Sequence, residues 1–572
     1  MHGRDPTHPE SFFQIAGIHG RPFMPYNNAG PANTTSWQGY SPHAEALFLI
    51  WHRPFVALFE QVIVKEAKAL AAAYPEELRL TYLKAAENLC MPYWDWALHQ
   101  RLPQVVVSEK IEIKVPTKDG MSTEMIANPL YTYKFPEEVK QGKFGEFNAT
   151  AGHSLGCASS AVTNANLLGV DYKRSLYKLY SESPDFRHFS TTASNGTSLE
   201  AVHDWVHWHV SCGGQFLETE YSAFNTMFML HHANVDRLWA YWQAMHPDDS
   251  TIGSSYPSPG SFSVPKGTPI DIDSPLYPFR QISGDGHTPR TVNNIATFGY
   301  TYERLEYWHM SEEQLKHAAI QVINSLYGPD GTGKLPEPEQ SASKPISSKT
   351  STQIVSTQST QSQSTQSQSG KISAPAPTSQ PTASSGNVTV GSATNSSSPT
   401  SIAVSSVLPS VAVSPSSVSA GMASQPSLVN SEMQSEYKSI SIGLSVEVTR
   451  LPVRPCILEI SIGNQRVGGM PVMKMPEEGI VHSSISIDEN IMAELGDIAH
   501  VELASKIAAQ LRVTLVKVDK STIDVSQLSG IVINVEETEM VAPTSNFELP
   551  QAVNTSSFVV MEKPILGCVR VE

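Results

Sequence analysis

Six histidines form two groups of three along the chain. In chain order they are His19, His43, His52, His203, His207 and His232. Each group lies among aromatic residues, and imidazole-only coordination suits copper, zinc, iron or nickel. The pattern therefore predicts two metal ions, each held by three imidazoles, that face one another across a pocket. The spacing does not choose among these metals.

The second group has helical spacing. His203 and His207 stand four residues apart in SLEAVHDWVHWHV, which places them on one helical face with Cβ atoms about 6 Å apart. Ser198 is the expected start of this helix. His232 belongs to a separate helix, FMLHHANVDRLWAYWQ, in which Asp236 is expected to fix a helix end or to orient a ligand ring. A histidine pair of this kind is more often structural, and only its combination with the first group favours a metal centre.

The first group requires a bend in the backbone. Nine residues after His43, at 100° per residue, His52 would lie on the opposite face of a straight helix. The run PFVALFEQVIVKEAKALAAA predicts a helix whose first turn contains Pro54, with His52 at or just before its N-terminus. Pro42 and Pro54 are the expected sites of the bend.

Composition divides the 572 residues into three parts. Residues 1–335 predict a mainly α-helical bundle that carries both histidine groups. Residues 336–435 are rich in Ser, Thr, Gln, Ala, Val and Pro and predict a disordered, low-complexity linker. In residues 436–572, short runs of alternating apolar residues such as Ile440, Ile442 and Leu444 predict a C-terminal β-sandwich, with one helix near 502–511.

Charge and cysteine content exclude several classes of partner. The formal net charge is −16 and no Lys/Arg cluster occurs, which argues against nucleic acid and anionic membranes. The five cysteines are scattered, so a disulfide framework is not expected and a reducing compartment is favoured. The N-terminus lacks the apolar core of a signal peptide, and no run reaches the ~20 apolar residues of a membrane span. The sequence predicts a cytoplasmic or otherwise intracellular protein.

Two segments resemble the copper-binding motifs of tyrosinases and related polyphenol oxidases. GYSPHAEALFLIWHRPFVALFEQ is similar to the first motif and MLHHANVDRLWAYWQ to the second, while MPYWDWA (Met91 to Ala97) and TFGYTY (ending at Tyr302) resemble further family segments. The similarity runs from about His8 to Leu305 and is greatest with the fungal branch. It implies a type 3 dicopper centre, with the first three histidines on one copper, the other three on the second, and O2 as co-substrate.

The resemblance implies an oxidase that converts phenols and o-diphenols to o-quinones, as in melanin formation. The substrate ring is expected to stack near His207, with Phe228 overhanging the copper. Glu200 stands in the place of a family glutamate that holds a water. Asp204 stands where many monophenol-active members carry asparagine, and a phenol of pKa ~10 must lose its proton to bind copper well. Catechol oxidase or o-aminophenol oxidase without monophenol activity is therefore the main alternative.

Three departures from the family pattern bear on this centre. Ser41 replaces the cysteine that joins the second ligand through a thioether in fungal members, so this cross-link cannot form, and we expect copper to be retained. Asn225-Thr226 replaces the usual Asp-Pro before the last ligand segment. The chain also begins without the strand whose arginine pairs near the Tyr-x-Tyr motif. An incomplete N-terminus or a loss in this lineage explains that departure, and a true absence would deprive Tyr300 and Tyr302 of their usual partner.

The predicted C-terminal domain resembles the one that covers the copper site in latent fungal tyrosinases and recurs in molluscan haemocyanins. The resemblance implies a latent enzyme, a zymogen, that is released when a protease cuts the linker. Phe547 and Phe558 are the candidate cover residues, since an aromatic on a loop is expected. The expected partners are thus small phenols or catechols and an activating protease. A haemocyanin-like oxygen carrier, which shares the copper pair, is the alternative from another functional class.

Overall fold

Helices dominate the first 336 residues, as their apolar spacing predicts. The computed structural model describes residues 1–32, 39–117, 120–149, 160–336, 435–496 and 500–563. The α-helices of the first part, in chain order, are α1 (Phe12–Gly20), α2 (Leu47–Ala72), α3 (Glu76–Glu87), α4 (Gln104–Val107), α5 (Glu137–Lys140), α6 (Ser160–Leu168), α7 (Tyr172–Glu182), α8 (Phe186–Ser190), α9 (Leu199–Ser211), α10 (Met227–Met245), α11 (Pro289–Val292) and α12 (Glu312–Tyr327).

Two small antiparallel sheets interrupt this helical domain. They are the hairpin β1 (Lys110–Thr117) with β2 (Gly120–Ala127), and the short pair β3 (Tyr256–Pro257) with β4 (Pro269–Ile270). Helix α2 packs against α3 and α10, and α10 packs in turn against α12. Large aromatic side chains fill the space between these helices, and Trp51, Trp96, Trp239 and Trp242 are all buried. This core holds the histidine-bearing elements in place.

Helix α2 begins well before the position expected from its proline. It starts at Leu47, so the prediction of a first turn at Pro54 is wrong. Proline inside a helix removes the hydrogen bond to the carbonyl four residues back, here that of Ile50, at a cost of about 3 kcal/mol. The first ten residues of α2 are all buried, and this packing offsets the cost. His52 therefore lies inside the helix, and the backbone turns at Ala44 (φ 52°) rather than at either proline.

The same helix meets the length and composition of a membrane span. However, 67% of its most apolar window is buried inside the fold. Burial of that extent is typical of a core helix, and α2 also carries His52 into the interior. Its apolar character is explained by its position in the core.

In residues 435–496 and 500–563, the described last part of the chain, eight strands and two α-helices follow. They are β5 (Glu436–Glu447), β6 (Cys456–Ile462), β7 (Gln465–Val472), β8 (Ile480–Ser486), α13 (Glu489–Leu495), α14 (His500–Gln510), β9 (Leu511–Lys517), β10 (Thr522–Asp524), β11 (Ile531–Val541) and β12 (Gln551–Lys563). One antiparallel sheet has the order β10-β9-β6-β7 and the other β12-β11-β5-β8.

Alternating apolar residues of the two sheets meet in one core. Ile442 and Leu444 of β5 share this core with Leu458 of β6, Leu515 of β9 and Ile533 of β11, as in a β-sandwich. A helical domain followed by a C-terminal sheet domain is thus confirmed. The predicted linker, 336–435, lies almost wholly outside the described residues, so its disorder and the proposed domain boundaries stay predictions.

One disulfide contradicts the expectation drawn from the scattered cysteines. Cys212, at the C-terminal end of α9, is disulfide-bonded, whereas Cys90 and Cys456 are free. Distance along the sequence does not limit which thiols meet in space, which is why spacing gave no sign of this bond.

Candidate metal centre

The first histidine triplet comes from three different elements. His19 lies near the end of α1, a helix whose first turn is capped by the Ser11 hydroxyl, and His52 lies inside α2. His43 belongs to the loop before α2. All three rings are buried, and one potential ligand atom from each lies within 4.8 Å of the others. The structure thus brings together the three residues that the sequence grouped.

Hydrogen bonds orient two of these rings. Nδ1 of His19 lies 3.2 Å from the carbonyl oxygen of Thr219, and Nδ1 of His52 lies 2.7 Å from that of Phe48. A carbonyl only accepts, so each Nδ1 carries the proton and each Nε2 keeps its lone pair. Both Nε2 atoms are buried and have no hydrogen-bond partner among the described residues. An orphaned, inward-facing acceptor of this kind fits a metal ligand.

The second triplet comes from two long helices. His203 and His207 lie on α9, whose N-cap is Ser198 as predicted, and His232 lies on α10. Nε2 of His203 lies 3.0 Å from Nε2 of His207 and 3.2 Å from Nε2 of His232. Nδ1 of His207 lies 2.6 Å from the carbonyl oxygen of Phe216. The three Nε2 atoms converge on one point.

Burial keeps these rings neutral. Desolvation lowers the pKa of His52 to about 3 and that of His207 to about 4. It also lowers the pKa of the other four rings well below the ordinary histidine value. A neutral imidazole has a lone pair to give to a metal. The donor set of six such nitrogens fits two copper ions.

The two triplets face one another. The rings of His52 and His232 are stacked with centroids 4.3 Å apart, and those of His43 and His203 lie 6.5 Å apart. His52 and His232 stand on helices that pack together, α2 and α10, and this contact fixes the distance between the triplets.

His231 is a seventh buried imidazole in the same cluster. Its ring stacks on that of His203 with centroids 4.8 Å apart, and it lies within ligand distance of the second triplet. Both of its nitrogens are buried without a hydrogen-bond partner in the described part of the chain. The resemblance to the family placed His231 outside the ligand set. Its position next to His232 was the one sign in the sequence that it lies near the metal centre.

A small cavity lies between the triplets. It is lined by His19, His43, Glu200, His203, Asp204, His207, Thr219, Ser222, Met473 and Met475. Its free volume is about 10 Å³, which is about what one water molecule needs. No phenol ring fits this space while the two methionines occupy its mouth.

The cover therefore consists of methionines of the C-terminal domain. Met473 and Met475 follow strand β7, and both are buried. The prediction of Phe547 or Phe558 is wrong, because Phe547 packs on His317 with ring centroids 5.3 Å apart and Phe558 packs on the core of the β-sandwich. Flexible thioether side chains fill irregular gaps, which suits them to this narrow mouth.

Backbone contacts hold the methionine loop in position. The guanidinium of Arg454 donates to the carbonyl oxygens of Met473 (3.5 Å), Lys474 (2.9 Å) and Pro476. Lys474 forms an ion pair with Glu218 of the helical domain. The loop is thus anchored on both sides of the domain contact.

Asp204 and Phe228 both lie at the centre, with different surroundings. Oδ1 of Asp204 lies 3.1 Å from Nδ1 of His203, and the carboxyl lines the cavity. Phe228 is fully buried and packs on a ring from each triplet, with centroids 4.2 Å from His232 and 4.7 Å from His19. It does not belong to the cavity lining, and its expected position over the copper stays a prediction.

Asp236 has a different role from the one proposed. Its Oδ1 accepts from Nε of Arg53 at 2.6 Å, and its Oδ2 accepts from the hydroxyls of Tyr300 and Tyr302, each at 2.6 Å. It therefore does not orient the ring of His232. Arg53 supplies a cation next to both tyrosines, a partner that sequence reasoning missed.

Comparison with known proteins identifies the helical part. Residues 9–245 match the common central domain of tyrosinase. This segment is a tyrosinase domain. All six histidines lie within it.

Several curated relatives of the tyrosinase domain come from fungi. The tyrosinase of Podospora anserina is 32% identical over 349 residues, which cover 56% of this chain and 60% of that protein. The tyrosinase of Neurospora crassa is 33% identical over 359 residues, covering 57% and 52%. Polyphenol oxidase 2 of Agaricus bisporus is 28% identical over 334 residues, covering 56% and 59%. The chain thus spans between half and three-fifths of the length of these relatives.

Solved structures share the fold over nearly the whole chain. The structure of latent and active mushroom tyrosinase aligns with a TM-score of 0.66 at 19% identity, covering 97% of this chain and 92% of that one. The apo-protyrosinase of Aspergillus oryzae aligns with a TM-score of 0.58 at 16% identity, covering 97% and 88%. At this identity the likeness concerns the fold, which includes the C-terminal sheet domain.

Proposed function

We propose that the protein is a dicopper oxidase that uses O2 to convert phenols and o-diphenols to o-quinones. His19, His43 and His52 hold one copper, and the second triplet holds the other. The observation that carries this proposal is the convergence of two sets of buried, neutral imidazoles on one cavity. When bound, the copper pair supplies the two-electron redox chemistry with O2. The protein supplies the ligands, a small cavity and a proton acceptor.

Asp204 is the proposed proton acceptor for a phenol. Its carboxyl lines the cavity, and burial, together with the negative charge of Glu200, raises its pKa well above the usual value. A raised pKa makes the carboxylate a stronger base toward a phenol of pKa ~10. The same carboxyl also faces Nδ1 of His203. Asp204 is therefore placed both to accept a proton and to orient a ligand ring.

The proposal is tested by O2 uptake of the copper-loaded, linker-cut protein with catechol and with a monophenol. We expect turnover of both, and Asp204→Asn should lower the monophenol rate about 10-fold or more while catechol oxidation changes less. An unchanged monophenol rate in Asp204→Asn would remove the role given to this residue. Turnover of catechol alone by the unsubstituted protein would identify a catechol oxidase or an o-aminophenol oxidase. Reversible O2 binding without turnover would identify an oxygen carrier.

We further propose that the uncut protein is latent and that an activating protease cuts between residues 341 and 434. The methionine cover and the cavity of about 10 Å³ support this idea, and the predicted cleavage region lies outside the described residues. Limited proteolysis should raise catechol turnover at least about 10-fold. Equal activity before and after cutting would contradict latency.

Two substitutions test the cover without a protease. Met473→Ala with Met475→Ala widens the cavity mouth, and we expect catechol turnover by the uncut chain. Met492→Ala is the matched control, because Met492 lies on α13 of the same domain and is not among the cavity-lining residues. Activity that rises equally in the control would indicate general loosening of the C-terminal domain.

A further inference from the structure

The Glu200 carboxylate accepts four hydrogen bonds from the protein itself. Its Oε1 accepts from the backbone N–H of Ala44 at 2.7 Å. Its Oε2 accepts from the Thr191 hydroxyl (2.9 Å), the Thr192 N–H (2.9 Å) and the Thr192 hydroxyl (3.1 Å). A carboxylate offers about four lone-pair sites. Three donors crowd Oε2, whereas Oε1 has the Ala44 N–H alone and keeps one lone pair for the water that the sequence resemblance assigned to this residue.

The bond to Ala44 acts on the backbone beside a copper ligand. Ala44 directly follows His43 and has φ 52°, a left-handed conformation that costs an L-residue about 1–2 kcal/mol. A residue held there needs support from its surroundings. The Glu200 bond supplies it, because Glu200 is buried in the first turn of helix α9.

The ring of His43 is held by its own loop, since the backbone of Ser41 forms a hydrogen bond with it. The Ser41 hydroxyl lies 3.4 Å from Nδ1 of His43, near the limit for a hydrogen bond. The other two ligands of the first triplet are fixed by their helices and by Nδ1 contacts to carbonyl oxygens of Thr219 and Phe48. The position of His43 therefore depends on the backbone that carries it.

The other end of the contact is anchored as well. The Thr192 carbonyl accepts from the backbone N–H of His482 on strand β8 at 2.8 Å. The nearby Thr197 hydroxyl donates to the carbonyl oxygen of Ser484 on the same strand at 2.9 Å. Glu200 thus joins the His43 loop to a segment that the C-terminal domain holds in place.

We propose that Glu200 is a positioning residue for His43, and that it sets the copper affinity of the first triplet through its bond to the Ala44 N–H. The inference rests on the proposed dicopper function. Ser41 cannot form a thioether with His43. The Glu200 carboxylate constrains His43 instead.

Copper binding tests the proposal on the full chain. Metal-free protein is loaded with two Cu(I) ions under argon, and copper is withdrawn with increasing amounts of a chromophoric Cu(I) chelator. In Glu200→Gln an amide N–H₂ replaces one of the two acceptor oxygens. Donors face both oxygen positions, so in either orientation of the amide its N–H₂ group lies against another donor. We expect one of the two coppers to be lost at about 10- to 100-fold lower chelator concentration. The other copper should be withdrawn at the same chelator concentration as in the unsubstituted protein. Anomalous X-ray scattering should locate this remaining copper at the second triplet.

Glu45→Gln is the matched control. Glu45 is also buried and lies next to Ala44, but its Oε2 accepts from the hydroxyl of Tyr256 at 2.7 Å, which an amide oxygen replaces. We expect its copper release to match that of the unsubstituted protein. Equal weakening of both coppers in Glu200→Gln, or the same split in Glu45→Gln, would overturn the proposal.

A milder variant covers the case in which Glu200→Gln does not fold. Thr191→Val removes one donor to Oε2 and keeps the bond to Ala44. The chelator concentration that withdraws the copper of the first triplet should therefore fall, but by a smaller factor than in Glu200→Gln. An unchanged release curve for a folded Thr191→Val would contradict the proposal. A loaded, unsubstituted protein that binds two coppers but oxidises no phenol would contradict the proposed activity and leave this inference standing.

Discussion

The two histidine triplets are built in different ways. The second places His203 and His207 four residues apart on one long helix, and His232 on another. The first takes one ring from each of two helices and a third, His43, from a loop. Helical geometry fixes the pair His203 and His207 locally, whereas the first triplet depends wholly on contacts between separate elements. The comparison predicts different sensitivities to substitution on the two sides.

Removal of a helix-borne ligand should have the largest effect. His207→Ala deletes one of three converging Nε2 atoms, so we expect the second copper to be lost and catechol oxidation by the cut protein to fall more than about 100-fold. Copper per chain and O2 uptake measure both effects. His309→Ala, at an exposed histidine, should change neither. A copper content that stays at two would contradict the ligand assignment.

Acid should destabilise the metal-free protein through the same ring. Unfolded His207 takes up a proton below pH 6.5, while burial lowers its folded pKa to about 4. Between these values the unfolded state binds more protons, so stability falls as pH falls. From pH 6.5 to 5 the loss for this ring is about 2 kcal/mol.

Urea unfolding at the two pH values measures this loss. Burial raises the pKa values of Glu45 and Glu200 to about 7. These two groups therefore make the folded protein more stable as the pH falls. The informative quantity is therefore the difference between the unsubstituted protein and His207→Ala. A pH response that is identical in the two proteins would contradict the buried neutral state of His207.

Loss of the carboxylate next to His203 should have a smaller effect. Asp204→Asn weakens the contact to Nδ1 of His203, and we expect about 10-fold weaker copper binding at the second triplet. Chelator competition on the full chain measures it. Equal weakening at both triplets would show that Asp204 acts on the whole centre.

The smallest effect is expected at Ser41. Its hydroxyl lies 3.4 Å from Nδ1 of His43, so Ser41→Ala should change copper release less than about 2-fold. A larger change than in Glu200→Gln would show that the side chain of Ser41, and not the backbone at Ala44, positions the loop ligand.

Sequence patterns predicted the parts of the molecule that local geometry controls. The Ser198 cap, the helical pair His203 and His207, and the alternating strands of the sandwich follow from rules that act over a few residues. Strands β7 and β10 were not predicted. β7 contains two glycines and a proline, and β10 is only three residues long.

The features that sequence reasoning missed depend on distant contacts. The start of α2 before Pro54 is stabilised by burial, which overrides the local preference of proline. The bond from Ala44 to Glu200 and the pairing of Asp236 with Arg53 join segments far apart in the chain. The methionine cover comes from another domain altogether. No spacing rule contains such information.

The thioethers of the cover would link the proposed latency to redox conditions. Peroxide converts a methionine to its sulfoxide, which is polar and larger than the parent thioether. At Met473 or Met475 that extra oxygen has no room beside a cavity of about 10 Å³. An aromatic cover would resist such chemistry. Under the proposed latency, oxidation of these methionines would change the activity of the uncut protein without any protease.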